Sequence, residues 1–308
     1  MASTSVSTVS RSTATSGVAK RASRAREASA PTALRSPRAE PARSARATKA
    51  AAAAAVTKAA PKKAGADVGE QRIYHVTHIN NLAGVLSSGA ILADASKAWE
   101  SRPIVDISSA ETRESRRAVL VAGQGSLSVA KYVPFFLSPD ASVWDSIRAL
   151  RDDPRLALEA HGSAPFDFVI LVSTVKKALS AQTADAVSAD AVSADAESTD
   201  AEATDAAPDA ASVVATDGDA TGALTRFGAT RDDAERLLRK LRADAESPAI
   251  LEAEFLVQES FPFELVTLIG VANDKVRDVV KPILAASAHR PKVAVYPPWF
   301  QPAEESAG

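Results

Sequence analysis

The chain has 308 residues, enough for one or two domains, and a formal net charge of −2 that conceals two opposed blocks. It contains no cysteine, four histidines and no long uninterrupted apolar run. These counts exclude a disulfide framework, a thiol nucleophile, a thiolate metal site and a membrane-spanning helix. The expectation is a soluble, cytoplasmic protein without a metal.

Residues 1–66 carry thirteen Lys or Arg against two Glu, a net of +11, among Ser, Thr, Ala and Pro. No bulky apolar residue recurs there at a regular period. Such a segment cannot bury enough surface to offset the entropy of ordering, so it reads as a disordered basic tail. Three roles stand open: a tail that neutralises phosphates on nucleic acid, an organelle transit peptide, or a product of coding bias. Residues 181–220 carry ten Asp or Glu and no Lys or Arg, with Ala-Asp-Ala-Val-Ser standing twice in tandem at 184–193. One-signed low complexity reads as a disordered acidic insert. The domain reading is therefore a tail over 1–66 and one folded domain over 67–308, interrupted at 181–220.

The remaining 202 residues have globular texture. Strands are predicted at Arg72–Val76, Ile104–Ile107, Tyr132–Leu137, Asp167–Ser173, Glu252–Val257, Leu265–Val271 and Lys292–Tyr296. Helices are predicted at Asn81–Ser88, which ends at Gly89, and around the arginine cluster near 113. Further helices fall at Ala141–Leu150, Thr230–Ala245 and Asn273–Ala286. Strands and helices mix without strict alternation, which indicates α+β rather than a doubly wound parallel sheet. The glycine patterns of dinucleotide-binding, Walker and nucleophile-elbow loops are missing.

Four clusters carry candidate chemistry. In Ile73-Tyr74-His75-Val76-Thr77-His78 the strand period puts His75 and Thr77 on one face, able to bond one ligand together, just before a helix start. The alternative is that His78 caps the helix and His75 is a satisfied core group. Arg113, Arg116 and Arg117 can clamp phosphates or lie on a solvated helix face. Tyr132-Val133-Pro134-Phe135-Phe136 concentrates aromatics around a proline that argues for an edge strand or a bulge. In Leu251–Val257 alternation puts Glu252, Glu254 and Leu256 on one face. A carboxylate in an apolar strand is costly unless bonded or functional, and Glu254 is the more enclosed of the two. Residue types and spacing alone stop at a mixed domain that binds a nucleotide-like ligand.

Taken in order, these stretches resemble the DarT family, the NAD-dependent DNA thymidine ADP-ribosyltransferase toxins. The resemblance rests on Tyr74–Leu82, the arginines at 113–117 leading to Val119–Gly125, Tyr132–Phe136, Ala253-Glu254-Phe255-Leu256-Val257, and His289–Val295 with Trp299. It covers about 72–178 and 226–300. It implies an ADP-ribosyltransferase fold of mixed and antiparallel sheets with an NAD cleft between them. It further implies Glu254 and Arg113 as catalytic, with Arg116 and Arg117 as alternates in an ambiguous register. His75, Thr77, Asn81 and Arg113 would bind NAD. Single-stranded DNA would be the acceptor, a macrodomain antitoxin the partner, and a monomer the working state. The sequence departs from the family pattern at Ser138-Pro139-Asp140-Ala141-Ser142, at Phe136 and in the acidic insert. Those departures keep open an RNA or protein acceptor, or a non-catalytic nucleic-acid-binding relative. If the tail binds phosphates, deleting 1–66 should weaken DNA affinity at low salt more than it changes turnover. Unchanged affinity in a salt titration would remove that role.

Overall fold

The structure is a computed structural model that describes residues 67–123, 125, 127–180, 213–244 and 247–302. The tail at 1–66 and most of the acidic segment lie outside the described residues. Among the described residues ten strands form one eight-stranded and one two-stranded sheet. They are β1 (Arg72–His78), β2 (Ala90–Leu92), β3 (Tyr132–Phe136), β4 (Phe168–Thr174), β5 (Val213–Thr216), β6 (Phe227–Gly228), β7 (Glu254–Gln258), β8 (Ser260–Pro262), β9 (Leu268–Val271) and β10 (Lys292–Val295). The large sheet runs β10-β9-β4-β1-β3-β7-β5-β6, and β2 pairs with β8. Only β10 and β9 pair in parallel; the other pairs are antiparallel. This is the mixed α+β class expected.

Five helices of seven residues or more stand among the described residues, and three of them begin at side-chain caps. The five are α1 (Leu82–Ser88), α2 (Ala110–Ala118), α3 (Ser142–Arg148), α4 (Arg231–Ala243) and α5 (Asp274–Leu284). Ser109, Thr230 and Asn273 each accept the backbone N–H three residues on, which opens α2, α4 and α5. The turn closing α1 puts Gly89 at φ 70°, where glycine pays no Cβ penalty. Helices α4 and α5 turn Ala234, Leu238, Leu241, Val276, Val280 and Leu284 into the main core. There they meet Val133, Phe135, Val169, Leu171, Phe255 and Ile269, which share one face of the sheet. The opposite face is covered by two smaller clusters, one around Trp144 and Phe168, the other around Tyr132 and Leu256. Burial on both faces explains the unbroken apolar run of β4.

The eight-stranded sheet divides in the middle. β1 matches β4 over seven positions, and β3 matches β7 over five. β1 and β3 meet at one, Tyr74 opposite Phe136. Two residues before Phe136 stands Pro134, whose carbonyl accepts a bond from the His75 ring rather than from a backbone N–H, at 2.9 Å. A residue's N–H and C=O leave a strand on the same side, so the N–H that proline lacks would have pointed at β1. β3 is thus an interior strand, whereas its proline argued for an edge strand or a bulge. It behaves as an edge only toward β1, along the part where the sheet is open.

Four further expectations are corrected. Ile104–Ile107 lies outside any strand, and the chain bends at Ile104 and Val105. Leu265–Val271 forms a strand only from Leu268. Glu252 is the last residue of a one-turn helix, Ala249–Glu252, so β7 begins at Glu254 and the two carboxylates do not share a strand face. The end of the acidic segment is ordered: Val213–Thr216 is fully buried as β5 and pairs with β7. Four apolar or β-branched residues buy that strand a place in the sheet against the acidic composition around them.

Gly228 ends β6 where α4 crosses it. A Cβ there would stand 2.8 Å from the Ala234 backbone nitrogen, and backbone cannot move aside cheaply. Gly228→Ala is expected to cost about 1–3 kcal/mol, read as a lower urea midpoint. An unchanged midpoint would mean that α4 is free to shift.

Candidate active site

The opening between β1 and β3 continues into a cavity of about 480 Å³, within the range of small-molecule and cofactor sites. Its wall includes His75, Thr77, Asn81, Arg113, Arg116, Tyr132 and Trp144. The chain from Trp99 to Ser108 covers one side. Asn81 fixes that covering segment: its amide donates to the Val105 carbonyl at 2.9 Å, and its side-chain oxygen accepts the Val105 N–H at 3.0 Å. The Asn81 amide also points at the Thr77 hydroxyl, at 3.4 Å.

His75 is held neutral. Burial pushes its pKa below the ordinary imidazole value, and the bond to Pro134 opposes this only in part. A carbonyl can only accept, so Nδ1 carries the proton and Nε2 is left as an acceptor. His78 behaves differently. Its Nδ1 accepts the Asn80 backbone N–H at 3.1 Å, so it caps the turn that precedes α1. Tyr132 is 1% exposed, and its buried hydroxyl has no hydrogen-bond partner. Burial drives that hydroxyl's pKa up to about 12, so it stays protonated.

Glu254 enters the sheet at the first position of β7 and is 5% exposed. Arg116 grips it with two bonds: Nη1 to Oε1 at 3.2 Å and Nη2 to Oε2 at 3.0 Å. The Ala220 backbone N–H adds a third, to Oε1 at 3.0 Å. A buried carboxylate needs this kind of partnering to remain charged. The Thr216 hydroxyl accepts the Glu254 backbone N–H at 2.9 Å and donates to the Gly218 carbonyl at 2.7 Å. It thereby ties β5, the loop after it and β7 together. Burial acts to lower the Arg116 pKa, but Glu254, Asp219 and Asp94 outweigh it and hold the guanidinium above its ordinary value.

Of the three candidate arginines, Arg113 with Arg116 and Arg117 as alternates, it is Arg116 that pairs with Glu254. One helical turn separates it from Arg113. Arg113 pairs with Asp106 at 2.8 Å on the cavity wall, and Arg117 pairs with Asp94 at 2.6 Å. His75 and Thr77 come together at the cavity as their shared strand face predicts. The residues missed are Thr216 and Ala220. Both sat inside the segment set aside as acidic low complexity, where only Val213-Val214-Ala215-Thr216 signals a strand. Among the described residues no group of three or more His, Cys, Asp or Glu is placed to hold a metal ion. Nor is any of their helices long and apolar enough to cross a membrane.

A family model described as "ssDNA thymidine ADP-ribosyltransferase, DarT" matches residues 74–301. The chain belongs to the DarT family. A DNA ADP-ribosyl transferase of Thermus sp. (strain 2.9) is 27% identical over 236 residues, covering 74% of this chain and 95% of that protein. One from Thermus aquaticus is 26% identical over 237 residues, covering 74% and 88%. The solved structure of Thermus sp. 2.9 DarT in complex with ADP-ribosylated ssDNA superposes with a TM-score of 0.56 at 23% identity. That match covers 75% of this chain and 96% of the other, and it supports the ADP-ribosyltransferase fold expected for this DarT-family chain.

The state of His75 has a measurable consequence. Its folded pKa lies below its unfolded value of 6.5, so the unfolded chain binds the extra proton first. Stability assigned to neutral His75 is present above pH 6.5 and is lost as the pH falls below it. Urea midpoints of wild type and His75→Gln should therefore converge, or cross in the variant's favour, as the pH falls below 6.5. A pH-independent difference would show that His75 is not buried neutral.

Proposed function

We propose that this DarT-family enzyme transfers ADP-ribose from NAD to a thymine base in single-stranded DNA, with Glu254 as the charge-stabilising carboxylate and Arg116 as its partner. The observation that carries this assignment is the buried, doubly bonded Glu254–Arg116 pair beside the cavity. His75, through its Nε2 acceptor, and Thr77 would hold the nicotinamide and its ribose. Arg113 would serve the NAD side from the cavity wall. Asn81 would serve it by fixing the segment that covers the cavity.

The reaction breaks the bond between the ribose and the nicotinamide nitrogen, and the bonding electrons leave with neutral nicotinamide. The sugar passes through an oxocarbenium-like state, as in glycoside chemistry. A carboxylate already fixed by three hydrogen bonds stabilises that charge without reorganising at the moment of reaction. The thymine ring nitrogen forms the new bond to the sugar and gives up its proton to solvent. A cation beside the base favours the deprotonated nitrogen, which suits Arg116. Single-stranded DNA fits because the base edge under attack is hidden in a duplex. Every residue in this scheme comes from one chain, which makes a monomer the simplest working unit. The scheme also implies a cytoplasmic enzyme, and the family resemblance implies a toxin opposed by a macrodomain antitoxin.

The test is mass spectrometry of a thymine-containing single-stranded oligonucleotide after incubation with NAD. Wild type should add one ADP-ribose per modified thymine. Glu254→Gln keeps the shape and removes the charge, and should slow transfer by about 100-fold or more. Wild-type rates in that variant would remove Glu254 from the reaction. Nicotinamide release without a gain in oligonucleotide mass would move the acceptor to RNA or protein.

A further inference from the structure

Three segments remote in sequence meet at Glu254. Helix α2 brings Arg116, the loop after β5 brings the Ala220 N–H, and the turn Ala249–Glu252 delivers the start of β7. Side-chain distances of about 3 Å at the carboxylate require these three to be held in register with one another. One residue outside the cavity contacts all three.

That residue is Arg155. Its carbonyl accepts the Ser109 N–H at 2.9 Å and the Thr112 hydroxyl at 3.2 Å, so it binds both the cap and the first turn of α2. Its Nη1 donates to Glu252 at 3.0 Å and lies 3.6 Å from the Asp219 carboxylate, next to Ala220. Its Nε and Nη2 bond both oxygens of Asp153, at 3.0 and 2.9 Å, and Nη2 also reaches the Ser142 hydroxyl at 3.2 Å. Asp153 is 5% exposed and anchors the arrangement. Burial would raise the Asp153 pKa, but the bonds from Arg155 and Ser146 outweigh it and bring it down to about 2. The guanidinium fork is thus fixed from below by Asp153 while its remaining donor side joins the two segments next to Glu254. A lysine has no such fork and cannot make these contacts together.

We propose that Arg155 is a positioning residue for the transfer reaction, setting the Glu254–Arg116 pair through Glu252, Asp219 and the start of α2. This rests on Glu254 being the reacting carboxylate. Arg155 touches neither substrate nor reacting atoms. Its loss should therefore appear in kcat and leave the KM for NAD nearly alone.

The experiment compares Arg155→Met, Glu252→Gln, their double variant and Glu254→Gln in the full chain. Each is assayed for oligonucleotide modification and for nicotinamide release, well below its own Tm. Arg155→Met should lower kcat by about 10- to 100-fold, the range expected when a reacting group is misplaced by about an ångström. KM for NAD should stay within about twofold. Glu252→Gln alters a half-exposed contact, so its Tm should match wild type while its kcat still falls. If Glu252 acts through Arg155, the double variant should be no slower than Arg155→Met. The proposal is overturned if the two losses multiply, if KM rises at unchanged kcat, or if kcat falls only in step with the unfolded fraction. Residual transfer at wild-type rate in Glu254→Gln would instead overturn the Glu254 assignment. An inactive Glu254→Gln beside a fully active Arg155→Met would sink the positioning role alone.

Discussion

A missing hydrogen-bond donor stands at the opening of the cavity. Interior strands must pair their backbone groups, because an orphaned N–H or C=O buried away from water costs about 1–3 kcal/mol. Pro134 has no N–H to offer β1, and its carbonyl is taken by the His75 ring. The sheet can therefore part at that point without stranding a donor. The cavity follows from this, and so does its chemistry: the imidazole that closes the gap has its proton fixed on Nδ1 and its acceptor on Nε2. Asn81 plays the matching part on the far wall, imitating a backbone pair to hold Val105.

The charged end of the site obeys a second constraint. Glu254 and Arg116 are each too buried to stand alone, and truncating either would leave an unpaired charge at a cost of about 3–5 kcal/mol. The pair is not an isolated one. Asp219 lies near Arg155, which itself grips Asp153 and Glu252. The acidic and basic groups form a chain that runs from the cavity to the protein's flank. Each member of the chain therefore depends on its neighbours for its charge partners.

Much of the architecture is written in the local pattern. The apolar run Phe168–Val172, the spacing of Leu238 and Leu241 on α4, and the cap at Asn273 are each set by near neighbours, and each element lies where the pattern puts it. The shared face of His75 and Thr77 is legible for the same reason. The arginine register is not. Arg113, Arg116 and Arg117 stand at i, i+3 and i+4, on one face of a helix, so the pattern cannot choose among them, and the packing of α2 decides which one meets β7. Glu252 misleads because alternation in a strand and a single helical turn look alike over three residues. β5 is obscured because its four residues follow a long tract whose composition argues against a sheet. Ile104–Ile107 has the residues of a strand, but the Asn81 side chain takes both backbone groups of Val105. Each miss concerns a partner distant in sequence.

Thr216 illustrates how narrowly such a site tolerates drift. The last β5–β7 pair is Ala215 with Phe255, and beyond it the Thr216 hydroxyl takes over, receiving the Glu254 N–H and passing a bond to Gly218. Valine would match threonine in shape and strand preference yet break both bonds, whereas serine would keep them with less bulk. Substitution scales built on size and β-propensity rank these exchanges in the wrong order at this position. A divergent relative can be judged on whether a hydroxyl stands two residues before the glycine of this loop, whatever its overall identity.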